Sequence, residues 1–249
     1  MFQKAQIIRR QNVRSAAIRY ATGNWVERRD AVKEIARYYG PEKNELIIGT
    51  LLVAIKDQAD LVRIEALKAL AKVKLDSTFA EIHKIATDDS DSNVRWYAIR
   101  ALRSFNNPAA ADAYIRGLES DDWLIREESA RGMVAMDAET IKSRLVPYII
   151  RAINDPHLNV STAALRGIKI NDDRLYQAIV DKFKTCTDNN YSLLNASLRA
   201  LRGYRLDANT RGKVINLLVH PNMNIRVLAL RVLKKEKSLT DADDQRIKR

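Results

Sequence analysis

The sequence is poor in the residues that a β-fold or a disulfide scaffold requires. Only eight glycines and five prolines occur in 249 residues. An all-β chain turns often, and its turns consume both residue types. Cys186 is the single cysteine. It can neither close an internal disulfide nor build a zinc site alone. That suits a reducing compartment, and the expectation is a cytoplasmic chain, with a leader removed beforehand left open. The first twenty residues, MFQKAQIIRRQNVRSAAIRY, lack the apolar core of a signal peptide. No apolar run approaches the ~18 residues of a membrane span.

Catalytic and cofactor signatures are equally scarce. His83, His157 and His220 fall far apart, and no histidine is followed by glutamate. Neither G-x-G-x-x-G nor G-x-x-x-x-G-K-[ST] occurs. DDSDSN (88–93) resembles the opening of a calcium loop. Val94 stands where that loop needs glycine, however, and Arg100 where it needs glutamate. The pairs Asp121–Asp122 and Glu127–Glu128 read as helix caps and solvated faces, and Cys186 as a packed, inert thiol. No cofactor, no metal and no catalytic residue is expected.

What is present is helix-forming. Apolar residues make up 46% of the chain, and Ala, Leu, Arg and Lys dominate, all strong helix formers. One phrase, apolar-Arg-x-x-Ala-apolar-[Lys/Arg]-x-apolar, returns seven times: ERRDAVKEI (27–35), VRIEALKAL (62–70), VRWYAIRAL (94–102), IREESARGM (125–133), VSTAALRGI (160–168), LLNASLRAL (193–201) and IRVLALRVL (225–233). The small central residues are Ala31, Ala66, Ala98, Ser129, Ala164, Ser197 and Ala229, separated by steps of 35, 32, 31, 35, 33 and 32 residues. A period in this range marks a solenoid. Val94, Ala98, Leu102 and Phe105 share one helical face. A second amphipathic segment lies between successive phrases, at 44–57, 78–89, 108–120, 139–155, 173–188 and 208–220. Asp and Asn cluster where each hairpin turns, as turn and N-cap residues do. Pro108 fits the first position of its helix.

The turn-Asp and Val-Arg-x-x-Ala phrase, with its period of ~32, resembles the compact HEAT repeats, as in phycobilisome lyase-type α-solenoids. The resemblance implies an all-α superhelix of about seven helical hairpins, spanning residues 1–249 as a single domain. The repeats would be 1–40, 41–75, 76–106, 107–137, 138–171, 172–205 and 206–237, with 238–249 beginning a further helix or a tail. It also implies an internal ladder of turn aspartates, here Asp57, Asp89, Asp121, Asp155 and Asp188, against Arg28, Arg63, Arg95, Arg126 and Arg226. Ser161 and Leu194 interrupt the basic side.

One column is not required for folding. The residue two places after each small centre is Lys33, Lys68, Arg100, Arg131, Arg166, Arg199 or Arg231, basic in all seven repeats. At 100° per residue, it lies ~200° from the centre, nearly opposite the apolar face. Without those seven, 36 basic residues face 31 acidic ones, and the net charge drops from +12 to +5. With neighbouring helices roughly 10 Å apart, the column would draw a stripe about 60 Å long. The resemblance places it on a concave face. Trp96, one turn before Arg100, is a candidate anchor beside the cations. Trp25, Trp123 and Tyr191 occupy an equivalent place at the start of the second helix and read as staples. Exposed Lys and Arg are also good helix formers, so a solvated face is the plain alternative.

The expected function is a non-catalytic scaffold whose basic face holds an acidic protein surface or helix. An alternative is nucleic-acid binding through phosphates without base specificity. A further alternative, an alkylpurine DNA glycosylase-like enzyme, needs an aspartate beside Trp96 that the sequence does not place there.

Overall fold

The computed structural model describes residues 2–40, 45–136, 139–187 and 190–247. Among these, the regular structure is helical throughout, with fourteen α-helices, short 3₁₀ turns and no strand. The chain divides into two compact units, residues 1–117 and 118–249.

Unit 1 holds α1 (Phe2–Thr22), α2 (Trp25–Arg37), α3 (Glu45–Ala54), α4 (Asp60–Val73), α5 (Phe79–Asp88), α6 (Ser92–Leu102) and α7 (Ala110–Gly117). The even-numbered helices carry the repeated phrase and pack side by side, α2 on α4 and α4 on α6. The first helices form a second layer behind them. Unit 2 holds α8 (Trp123–Ala135), α9 (Glu139–Ile153), α10 (Leu158–Arg166), α11 (Asp173–Lys184), α12 (Tyr191–Leu201), α13 (Ala208–Asn216) and α14 (Met223–Ile247). Its phrase helices pack in the same manner, α8 on α10, α10 on α12 and α12 on α14.

The reason for this packing lies in the phrase. All seven small centres, Ala31, Ala66, Ala98, Ser129, Ala164, Ser197 and Ala229, are completely buried. A larger side chain there would hold neighbouring helices apart. Gly167 shows how close they come, because a Cβ at that position would lie 2.3 Å from Val134 Cγ2 on α8. The expected caps are in place on α6 and α8, whereas α10 and α12 begin at His157 and Asn190 with no side-chain cap bond. Asn24 and Glu27 form a reciprocal capping box on α2. Asp91, Asp122, Asp172 and Asp207 each accept a backbone N–H in the first turn of α6, α8, α11 and α13.

Two boundaries depart from the sequence expectation. Pro108 is not the first residue of α7. It sits in the preceding turn, where the Asn107 carbonyl accepts from Ala110 N–H at 3.0 Å. Residues 238–247 do not begin a new helix but continue α14. Between Ala229 and Ile247 there is no glycine or proline to stop it.

Candidate partner-binding surface

Arginines of the phrase hold the hairpin turns. In unit 1, Arg28 grips Asp57 with two bonds of 2.7 and 2.8 Å, and Arg63 grips Asp89 with two of 3.0 Å. In unit 2, Arg126 grips Asp155 at 2.8 and 3.2 Å. Each of these aspartates also accepts the backbone N–H two residues on, from Ala59, Asp91 and His157. Each of Arg63, Arg95, Arg126 and Arg226 donates Nη1 to two backbone carbonyls of its own turn. Burial works to raise the Asp57 and Asp155 carboxyls. Their arginine and backbone donors outweigh it and hold both below the ordinary carboxylate range. Where repeat five lacks the arginine, Ser161 Oγ donates to the Ile153 carbonyl instead. Leu194 in repeat six is simply buried. Asp188 lies outside the described residues. These arginines are therefore spent on the fold.

The basic column is placed differently. Lys33, Lys68 and Arg100 lie on α2, α4 and α6 of unit 1, and Arg131, Arg166, Arg199 and Arg231 on α8, α10, α12 and α14 of unit 2. All seven are exposed or half-exposed, as the angle from the buried centres requires. Their immediate partners, however, divide them into two groups.

Three cations face carboxylates one turn back on their own helix. Lys33 Nζ lies 3.9 Å from Asp30, and Lys68 Nζ 2.9 Å from Glu65. Burial tends to lower the Lys68 pKa, but the Glu65 contact outweighs it and raises the pKa. Arg131 meets Glu127 at 2.5 Å and Glu128 at 3.4 Å. Glu127 and Glu128, expected to be solvated or capping, are instead largely buried, with side chains 13% and 2% exposed. These acids were findable in the sequence from their i−3 and i−4 spacing to the column.

The other four have no carboxylate partner among the described residues. Arg199 Nε donates to Asn195 Oδ1 at 2.9 Å. Arg166 and Arg231 stand exposed. The Arg100 guanidinium lies over the Trp96 ring, 5.2 Å from its centroid. Trp96 itself is half-buried and meets Tyr97 edge-on at 4.7 Å. Lys68 Nζ sits 4.7 Å over the other member of that pair, Tyr97. The structure thus joins Lys68, Trp96 and Arg100 through an aromatic residue that sequence spacing did not single out.

Trp123 stacks on His157 at 4.0 Å, tying the start of α8 to the turn before α10. Trp25 is exposed, with Arg29 over its ring. Between α2 and α4 lies a cleft of about 280 Å³ lined by Lys33, Arg37, Lys68 and Lys72 together with Glu65.

Cys186 is buried, and burial pushes its thiol up despite a contact of 3.7 Å with Ser197 Oγ. A thiol so held is a poor nucleophile. His220 Nδ1 accepts from Asn222 N–H within its own turn. Among the described residues, no three metal-ligating side chains gather, and no helix is long and apolar enough to cross a membrane.

No curated protein matches the sequence. The profile of the family described as HEAT repeats matches residues 79–140. Among solved structures, the complex of CpcE and CpcF of phycocyanin lyase from Nostoc sp. PCC7120 is similar at a TM-score of 0.54 and 21% identity, covering 90% of this chain and 93% of that one. An engineered protein is similar at a TM-score of 0.49 and 17% identity, covering 91% and 96%. Human deoxyhypusine hydroxylase gives 0.45 and 12%, covering 94% and 99%. At 21% identity the likeness to the CpcE and CpcF complex is one of fold. The HEAT-repeat match is confined to residues 79–140, and the seven buried small centres and the Arg–Asp turn rungs carry the same all-helical solenoid pattern through the other described residues.

Proposed function

We propose that the protein is a non-catalytic scaffold that holds an acidic protein surface or acidic helix against its basic column. The observation that carries this reading is the group of four column arginines, Arg100, Arg166, Arg199 and Arg231, with no carboxylate partner among the described residues. An unneutralised cation on a packed helix needs no partner for folding, yet it favours an anionic one. Trp96, with Arg100 on its ring, offers an apolar edge beside the charge. In unit 1 an acidic helix would add to contacts already half-satisfied, whereas in unit 2 it would meet Arg166, Arg199 and Arg231 directly.

The test is fluorescence anisotropy with a labelled, glutamate-rich helical peptide and, in parallel, a labelled DNA duplex at two salt concentrations. The control protein has Arg100, Arg131, Arg166 and Arg199 changed to Glu. Peptide binding that is lost in the variant supports the scaffold. Duplex binding with a log–log salt slope near about −6, as ~7 phosphate contacts imply, and lost in the variant, would replace it with the nucleic-acid reading. Binding of neither probe, or binding that the variant retains, refutes a role for the column.

A further inference from the structure

The phrase helices of unit 2 carry a second exposed row, two turns before the basic column. Leu124 is the second residue of α8, Leu158 the first of α10 and Met223 the first of α14. They are 38%, 40% and 67% exposed. At the same place α12 has Tyr191, which is half-buried. Seven residues separate Leu124 from Arg131, and eight separate Leu158 from Arg166 and Met223 from Arg231. That is two turns, ~11 Å along a helix, and at most ~80° round it. Row and column therefore share one face. We infer that this face binds an amphipathic acidic helix lying along the stack. Its apolar stripe rests on Leu124, Leu158 and Met223, and its carboxylates turn toward Arg166, Arg199 and Arg231. Such a ligand presupposes the scaffold reading and adds an apolar requirement to it.

Folding does not ask for apolar side chains at these places. The first turn of a helix favours polar and acidic residues. A hydrophobic staple joins the residue before the cap to the fourth of the helix, whereas Leu124, Leu158 and Met223 are first or second residues. A single exposed apolar side chain is ordinary on any surface. Recurrence at one place on three of four packed helices is not. Unit 1, taken by itself, has the same arrangement on two helices. Val26 of α2 and Leu61 of α4 are 36% and 41% exposed, and each stands seven residues before Lys33 or Lys68.

The dimensions suit a helix. With side chains its diameter is ~10–12 Å, close to the ~11 Å between row and column. Neighbouring phrase helices stand roughly 10 Å apart, about seven residues of a helix that rises 1.5 Å per residue. One apolar residue per heptad thus meets one repeat, the manner in which amphipathic helices enter grooves. The charges set which way the ligand faces. Asp121 and Asp122 precede Leu124, and Asp155 precedes Leu158, so carboxylates lie on the turn side of the row and arginines on the other. A helix can keep its own carboxylates to the arginine side. A flat anionic membrane would press on the turn aspartates as well.

The test is fluorescence anisotropy on the full chain with labelled helical peptides of about three heptads and equal charge. One has Leu at every seventh position and Glu along one flank. In another each Leu is replaced by Gln, and in a third the same Leu residues are scattered round the helix. We expect the striped peptide to bind roughly thirtyfold tighter than the Gln peptide, and the scattered one to bind like the Gln peptide. Leu124→Ser with Leu158→Ser and Met223→Ser should remove that advantage and leave the Gln peptide's affinity unchanged. An unaltered urea midpoint shows that this variant keeps its fold, and the comparison among peptides does not depend on it. If the Gln peptide binds and the Leu stripe adds nothing, the inference falls and the scaffold reading stands. If no peptide binds, both fall. An advantage that survives in the triple variant places the ligand elsewhere and overturns the inference. So does cosedimentation with phosphatidylserine–phosphatidylcholine vesicles that the triple variant loses, without a stripe advantage, which assigns the face to a membrane surface.

Discussion

The two units are built from the same phrase and use their cations differently. In unit 1, both Lys33 and Lys68 have a carboxylate one turn back, and Arg100 lies on the Trp96 ring. Its turns are fastened by two charged rungs, Arg28–Asp57 and Arg63–Asp89. In unit 2, among the described residues, only Arg131 is met by acids, and three successive helices present Arg166, Arg199 and Arg231 without them. One charged rung, Arg126–Asp155, is followed by the hydroxyl of Ser161 and then by Leu194. Glu65 also lines the unit 1 cleft between α2 and α4, beside Lys33, Arg37, Lys68 and Lys72. A repeat therefore does not confer equal charge on equal positions. What decides is the residue three or four places earlier, which either answers the cation or leaves it to a partner.

The largest effect that would test this contrast is on stability. Asp57 is 5% exposed and Arg28 25%. Asp57→Asn, which leaves that arginine facing an uncharged amide, should cost about 2–3 kcal/mol in urea denaturation. A loss under half a kilocalorie would show that the charged rungs are not what fastens unit 1. The acid limb carries the same information. Asp57 and Asp155 are depressed in the folded protein, so their contribution is fully present above an unfolded pKa of ~4 and is lost as pH falls through the lower folded values. Asp57→Asn should flatten that limb. Asp207, held down to about 2 chiefly by Thr210, should release its share as pH falls through that value.

Next in size is the asymmetry in binding. Arg166→Glu with Arg199→Glu should weaken an acidic helical peptide about thirtyfold, and Lys33→Glu with Lys68→Glu no more than about fivefold. Equal losses in anisotropy would mean that the intrahelical acids do not neutralise the unit 1 column. Smaller again, Ser161→Ala should cost about 1 kcal/mol of unfolding free energy, the worth of a neutral hydrogen bond whose buried acceptor is left without it. That would place the hydroxyl rung below the charged one. The smallest effect expected is a gain. Glu65→Gln frees Lys68, whose surface pair is worth a few tenths of a kcal/mol, and should tighten peptide binding by about twofold.

Much of this molecule is legible in its sequence because the signals are local. Helical period, the small centre, the Asp and Asn turns and the outward basic position all depend on residues within one or two turns of each other. The seven centres are buried and the seven column residues accessible, as angular position alone implies. Glu128 was misplaced because helical angle tells which face a residue is on but not whether a neighbouring helix covers it. Tyr97 and its pairing with Lys68 were missed for the same reason, since 29 residues separate them in the chain. The departures at 108 and 238 are local too, but a helix boundary rests on one or two turn bonds, and small shifts there leave the pattern unchanged.

By itself, then, the amino-acid order determined the hairpin, its repeat length, the residues that must lie between helices and the column that must lie outside. Each follows from backbone geometry and from the cost of leaving an apolar face in water. Only the tertiary structure decided which cations are answered by carboxylates, which arginines are consumed in the turns, and that Lys68 lies over the ring of Tyr97. Coulombic and hydrogen-bonding partners are chosen by distance in space, and segments 26 to 29 residues apart acquire that proximity only when the helices stack.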